Sequence, residues 1–379
     1  MTDPGDVHAM ARRIAAFGLP GHEDTSPFYL PDDQWPGMLA TLTQQRTTGL
    51  AVAAAESGWL QLSTEQWQDL LTRHREAMGQ VLGIERRLLV LADAFDRASV
   101  SFVVLKGPSL ARTVYPDPSW RSFGDLDLLV HTGDWRRACS VLEDLGLKRA
   151  LPEPRPGFDE RFGKASVHQG RGDIEVDLHR TLVLGPFGLW IESDRLFDHT
   201  VAFEAGGRFF NRFDDTLLML HGCIHASLGW WPPLLTPIRD VAQVAWFGRV
   251  DWDRLRDHAL RWRLSAVVQD ALGRTEEILG IRMPEQAKSL GELKPRRRER
   301  QALLAYSTDR RGRGGTARAT LQALPGIRAK AAYISALLFP TKTFLAARGR
   351  GGQTSYWRRW SVALHWISAS KERSRRSGG

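Results

Sequence analysis

The sequence predicts an α/β fold of the α+β kind, a small mixed sheet flanked by N-terminal and C-terminal helical regions. Three observations predict it. Apolar runs short enough for strands, punctuated by glycine and proline, fall between Ser101 and His179. Apolar residues at helical spacing precede them, from Thr64 to about Arg97, and resume after them, from Asp214 to about Leu290. The 379 residues, 42% hydrophobic and 25% charged, have globular composition and length for two or three domains. We place an N-terminal helical or irregular region at 1–62, the sheet core with its preceding helices at 63–185, a helical substrate-side domain at 186–291 and a basic extension at 292–379.

Residues 1–62 give weak signals. Pro20-Gly21 and Pro31-Asp32-Asp33 mark loops, and Met38–Ala55 has room for one or two short helices. Thr64 is the expected N-cap of the next helix, in which Trp67, Leu70, Met78, Ile84, Leu88, Leu91 and Phe95 recur at helical spacing. Gly79 or Gly83 is a potential break. Phe102–Leu105 then reads as a buried strand closed by Gly107 and Pro108, with a short helix starting near Ser109. Asp125–Val130 is the next strand. Asp134–Leu145 is amphipathic and stopped by Gly146, a good residue just past a helix end. A proline-rich loop leads to a hairpin made of Ala165–His168, a turn at Gly170–Asp173 and Ile174–His179. Four helices follow, Asp215–Leu228, Pro237–Phe247, Asp253–Arg261 and Ser265–Leu279, with Trp230-Trp231-Pro232-Pro233 as a bend. Beyond them lie Arg296-Arg297-Arg298, a Gly/Arg-rich linker at 310–315 and a basic aromatic segment with helical potential, Tyr356–Ile367.

The chemistry concentrates on two strands. Side chains at i and i+2 of a strand share a face, so Asp125 and Asp127 project together while Leu126 and Leu128 enter the core. Two crowded carboxylates repel unless a proton or cation sits between them, and a divalent metal is the economical explanation. The bland alternative is a solvated strand end. On the second strand Glu175, Asp177 and His179 face one way, and Asp177 and Glu175 compete for the place of a third acid. Three acids from two strands can hold two divalent ions, Mg²⁺ or Mn²⁺, which clamp an in-line displacement at phosphorus. Gly107 and Ser109 offer a phosphate cradle, the alternative being an ordinary turn with Ser109 as N-cap. Lys106 and Arg121 are candidate charge neutralisers for a polyphosphate, although Arg121 is close enough in sequence to pair with Asp125 instead. His179 is a candidate substrate contact or a partner for Asp177. His221 and His225, at i and i+4, share a helix face. Gly222 stands where the acid of a His-Glu-x-x-His zinc motif would be, so they read as packing or as an acceptor-site wall, with His221 a possible substrate contact.

These motifs carry a resemblance. Leu105-Lys106-Gly107, Tyr115-Pro116, Arg121 and Asp125-Leu126-Asp127-Leu128-Leu129-Val130 resemble a bacterial family of nucleotidyltransferases in the polymerase-beta-like superfamily. The likeness continues through Val176-Asp177-Leu178-His179, Leu218-Met219-Leu220-His221, Arg239-Asp240-Val241 and Asp251-Trp252, over most of residues 65–270. It implies a nucleotidyltransferase core, an NTP substrate, a divalent metal, transfer of an NMP to a hydroxyl of an unknown acceptor (a small molecule, a peptide or a protein, with RNA also open) and release of pyrophosphate. It favours Asp177 over Glu175. One departure stands out: Gly and Ser are commonly adjacent in the superfamily, whereas Pro108 separates them here. The rival reading is a non-catalytic nucleotide-binding or nucleic-acid-binding protein that keeps the fold.

Charge is uneven. Residues 292–379 hold twenty Lys/Arg against four Asp/Glu, a surplus larger than the whole chain's +9, so residues 1–291 are net acidic. The tail, with Tyr356, Trp357, Trp360 and Trp366, suits nucleic acid or an anionic membrane surface, or packs back on the acidic body. Two cysteines, Cys139 and Cys223, leave room for one disulfide but no framework, and with no apolar N-terminal run the expectation is a cytoplasmic protein.

Overall fold

A computed structural model describes residues 4–22, 26–170, 175–229, 234–306 and 314–347. Its architecture is mixed α/β, a mixed sheet with helical flanks. Helices α1 (Pro4–Ala15), α2 (Trp35–Gln44) and α3 (Thr48–Glu56) come first, with strands β1 (Phe28–Tyr29) and β2 (Leu60–Gln61) pairing parallel between them. Helix α4 (Thr64–Arg97) runs 34 residues without a break at Gly79 or Gly83. Its cap lies one residue before the expected one: the Ser63 hydroxyl accepts from the Gln66 amide and Gln66 reaches back to the Ser63 N–H, a complete capping box.

The central sheet has seven strands: β3 (Phe102–Val104), β4 (Asp125–Val130), β5 (Lys148–Arg149), β6 (Ala165–Gln169), β7 (Glu175–His179), β8 (Thr200–Ala205) and β9 (Arg208–Phe213), in the spatial order β5-β6-β7-β4-β3-β9-β8. Strand β4 is antiparallel to β3 and parallel to β7, in a register that sets Asp127 beside Asp177 and Leu129 beside His179. The hairpin β8–β9 joins this sheet beside β3, within the 186–291 region expected to be helical. Its turn is Gly206-Gly207, both at positive φ, and its Phe203 and Phe210 are buried.

The alternation in β4 and β7 sorts the two faces. Leu126, Leu128, Val176 and Leu178 enter a core with Ile84, Leu88 and Phe95 of α4 and with Trp135 and Leu142 of α6 (Trp135–Asp144). The short helices α7 (Phe158–Phe162) and α8 (Pro186–Trp190) come next in the chain. The other face turns toward a larger core built from α1–α3 and from α9 (Asp215–Leu228), α10 (Leu235–Phe247), α11 (Trp252–Arg261) and α12 (Ser265–Leu279). These four helices lie within two residues of their expected bounds. Between β3 and β4 sits the short α5 (Pro108–Thr113).

Three helices after the arginine run, Gly315–Ala323, Gly326–Leu338 and Lys342–Ala347, were not expected. They dock through Leu324 and Tyr333, which pack with Phe162, and Phe158 stacks on Tyr333. The linker arginines 310–313, the bend 230–233, the hairpin turn 171–174 and the aromatic tail Tyr356–Ile367 lie outside the described residues. Cys139 and Cys223 are both free, on α6 and α9. Among the described residues no helix is long and apolar enough to cross a membrane.

Candidate active site

The face of β4 and β7 that carries the acids is the floor of a cavity of about 330 Å³. This lies at the small end of the range for ligand sites, roughly 300–1,000 Å³. Lys106, Asp125, Asp127, Lys164, Asp177 and His179 make its charged half. Leu182, Val183, Ile224 and Leu228 make an apolar half, with His221 and His225 between the two. The i, i+4 spacing on α9 aims both histidines at the sheet. Burial, and then the field of His179, holds His221 down to about 3, and burial with the Lys106 charge puts His225 well below the usual range, so both rings are neutral at pH 7.

Lys106 lies two residues past the end of β3, and its ammonium lies 3.0 Å from Asp125 Oδ2 and 3.0 Å from Asp127 Oδ2. Burial alone would weaken that charge, but the two carboxylates outweigh it and raise the Lys106 pKa. Asp127 is buried, which alone would raise its carboxyl. Lys106 and a hydrogen bond with His179 overturn that and hold it well below the ordinary range.

His179 Nε2 sits 2.9 Å from Asp127 Oδ1, while its Nδ1 lies 3.2 Å from the Thr181 carbonyl oxygen. A carbonyl and an ionised carboxylate can both only accept, so a neutral ring donates to one of them. Its other nitrogen then turns a lone pair toward an acceptor oxygen, a confrontation that a cation or a proton relieves. Asp177 Oδ1 is buried with no hydrogen-bond partner. Desolvation first, then the Asp127 charge, push the Asp177 carboxyl up to about 7. Ligand atoms of Asp127, Asp177 and His179 lie within 4.8 Å of one another. Two carboxylates and an imidazole with unmet lone pairs form a donor set that fits a divalent ion, and Mg²⁺ or Mn²⁺ suit the oxygens.

The structure also separates residues that the sequence grouped. Glu175 is beside Asp125 in register, but its carboxylate accepts from Gln169 and does not border the cavity. Ser109 is a correction. It is the second residue of α5, not its cap, is fully buried, and its hydroxyl finds no partner and reaches neither neighbouring cavity. Pro108 takes the first helical position, and Gly107, at φ 65°, makes the turn. Arg121 does not take the alternative role of an Asp125 partner: its Nε and Nη2 donate to Asp240 at 2.8 and 2.7 Å, and Tyr115 donates to the same carboxylate at 2.8 Å.

Two cations went unnoticed in the sequence. Lys164, just before β6, has its charge weakened chiefly by burial. Arg46, in the turn between α2 and α3, lies 3.6 Å from Asp125. Neither belongs to a motif; strand order brings one in and helix packing the other.

A family model described as an uncharacterised nucleotidyltransferase matches residues 31–280 of the chain. Among solved structures, the crystal structure of an antigenic nucleotidyltransferase-like protein from Paracoccidioides brasiliensis is similar, at 15% identity and a TM-score of 0.32, over 54% of this chain and 95% of that one. That likeness is too distant to bear on chemistry. None of the curated proteins matches at a significant level.

Proposed function

Because the chain belongs to the uncharacterised nucleotidyltransferase family, we propose that it transfers an NMP from an NTP to the hydroxyl of an acceptor and releases pyrophosphate, with Mg²⁺ or Mn²⁺ held by Asp125, Asp127 and Asp177. The observation that carries this reading is the convergence of Asp127, Asp177 and His179, with unmet lone pairs, at the floor of a cavity that also holds Lys106. A divalent ion, when bound, neutralises phosphate charge and makes the acceptor oxygen a better nucleophile.

The chain's own residues do the rest. His179, fixed by Thr181, orients the Asp127 carboxylate. Lys106 and the backbone at Gly107 seat the β- and γ-phosphates. The acceptor oxygen bonds to the α-phosphorus, the bond from that phosphorus to the bridging oxygen breaks, and pyrophosphate departs. The hydroxyl proton passes to a carboxylate of the trio. Leu182, Val183, Ile224 and Leu228, with the neutral His221 and His225, wall the acceptor side and favour an uncharged hydroxyl-bearing group.

The burial of Ser109 supports a second reading, a protein that holds the nucleotide without transferring it. One experiment separates the two: purified protein with Mg²⁺, each NTP labelled at the α-phosphorus, and a cell extract. Label moving to an acceptor upholds transfer. Retention of intact NTP by the protein, with no labelled acceptor for any of the four nucleotides, overturns it.

A further inference from the structure

Next to the main cavity lies a smaller one of about 80 Å³, bordered by Arg46, Lys106, Gly107, Arg121, Asp125 and His225. One water needs roughly 10–15 Å³, so this space takes several waters or one phosphoryl group. It shares Lys106, Asp125 and His225 with the main cavity. A ligand with its reacting atom over Asp127 can therefore extend into it.

Three cations meet there. Arg121 is 4% exposed, and although Asp240 occupies two of its nitrogens, Nη1 is buried with no partner. A buried donor left unmade costs about 1–3 kcal/mol, and Arg121 is one of the residues that border the small cavity. Lys106 is the second cation. The third, Arg46, has a backbone φ of 56°, which costs a non-glycine residue of order 1–3 kcal/mol and persists only when its surroundings hold it. They do. The Ser122 hydroxyl donates to the Arg46 carbonyl at 3.3 Å, and the Thr236 hydroxyl donates to the Gln45 carbonyl at 2.5 Å. Gln45 Oε1 accepts from the Leu235 amide at 2.7 Å. Helix α3 is pressed so close to the Pro118–Trp120 turn that a Cβ on Gly49 would fall 2.0 Å from the Ser119 carbonyl oxygen. The Arg46 guanidinium then crosses Gly124, where a Cβ would lie 2.8 Å from Nη2. Its distance of 3.6 Å from Asp125 is too long for a formed hydrogen bond, so the fork is placed without being consumed.

We propose that Arg46, Arg121 and Lys106 form a polyphosphate subsite for the terminal phosphoryl group of a nucleoside triphosphate, with Arg46, delivered by the N-terminal helices, as its discriminating residue. The proposal rests on the nucleotidyl-transfer reading above. A guanidinium suits the role because its planar fork engages two phosphate oxygens at once, which an ammonium cannot do.

The test is calorimetric titration of the full chain with pyrophosphate and with a nucleoside monophosphate, both with Mg²⁺, for wild type, Arg46→Ala, Arg46→Lys and Gly124→Ala. Circular dichroism checks each fold; the Arg46 side chain is 44% exposed, so its removal leaves no core void. Arg46→Ala is expected to weaken pyrophosphate binding about tenfold or more, the loss of one good charge-assisted contact. Arg46→Lys should recover part of it, Gly124→Ala should resemble Arg46→Ala, and monophosphate binding should stay unchanged in all three. Pyrophosphate affinity in Arg46→Ala within about twofold of wild type, or a wild type that binds no pyrophosphate, overturns the subsite. Label transfer by wild type alongside an indifferent Arg46→Ala removes the subsite and leaves the function standing. Arg46-dependent pyrophosphate binding in a protein that transfers nothing does the reverse.

Discussion

Two buried charge clusters lie close together in this molecule, and they differ in one respect. Around Asp240, Arg121 donates twice and Tyr115 once to a single carboxylate, and the neighbouring Arg239 is taken up by Gln243 and by the Ala15 and Phe17 carbonyls at the end of α1. That cluster is almost saturated and joins α1, α10 and the strand connections into one body. Around Asp127 the polar groups are not all met: Asp177 Oδ1 has no hydrogen-bond partner, and His179 stands between two acceptors of which a neutral ring satisfies one. Burial and charge alone therefore do not mark a functional site. Unmet donors and acceptors that open on a cavity do, because a fold that only needed stability would have satisfied them.

The contrast breaks or sharpens under substitution. The largest effect on stability belongs to the saturated cluster. Asp240→Asn leaves the Arg121 charge buried without its counter-ion and should cost about 3–5 kcal/mol in denaturant unfolding. The apolar pair Arg121→Met with Asp240→Leu should restore most of that. A loss no larger than a surface mutation would make the cluster incidental. Asp127→Asn, in the open cluster, should lower transfer about 10³-fold, or about 4 kcal/mol in barrier, without loss of secondary structure by circular dichroism. Transfer within a few-fold of wild type would remove Asp127 from the chemistry. Next in size, His179→Gln should cost roughly 10–100-fold in metal affinity, as is typical of a residue that orients a ligand, while Tyr115→Phe should cost none.

A separate effect is on pH dependence. An acid whose pKa is raised in the folded state binds more protons folded than unfolded between the two values. For Asp177 those are roughly 4 unfolded and about 7 folded, so its contribution is fully present below pH 4 and is lost as pH rises through 7. Metal-free wild type should lose thermal stability across that window, and Asp177→Asn should flatten the slope. Asp127, held low, should act oppositely, its contribution disappearing as pH falls below about 4. Parallel pH profiles for wild type and Asp177→Asn would contradict the raised carboxyl.

How much of this was legible beforehand follows the range of the interactions. Helices α9–α12 are local, amphipathic and closed by turn residues, and their bounds could be read within two residues. The facing of Asp125 with Asp127, and of Asp177 with His179, follows from strand alternation alone. The hairpin β8–β9 escaped because Phe209 and Phe210 are adjacent and Val201 and Phe209 are exposed, which blurs the two-residue period. Arg121 could be seen as a charge near the acids, but its commitment to Asp240, 119 positions later in the chain, depends on how α10 packs. Arg46 and Lys164 reach the site only through tertiary placement, and no spacing rule connects them to the acid strands. Ser109 failed for a local reason: with Pro108 as the first helical residue, the serine moves one step into α5 and is rotated into the core.

The account depends on the open valences of Asp127, Asp177 and His179 being a place for a divalent ion. Binding of Mn²⁺, followed by electron paramagnetic resonance in the presence and absence of NTP, tests this most directly. Wild type should bind the ion and hold it more tightly with NTP present, and Asp127→Asn and Asp177→Asn should each weaken binding by about tenfold or more. Equal Mn²⁺ affinity in all three proteins would contradict it.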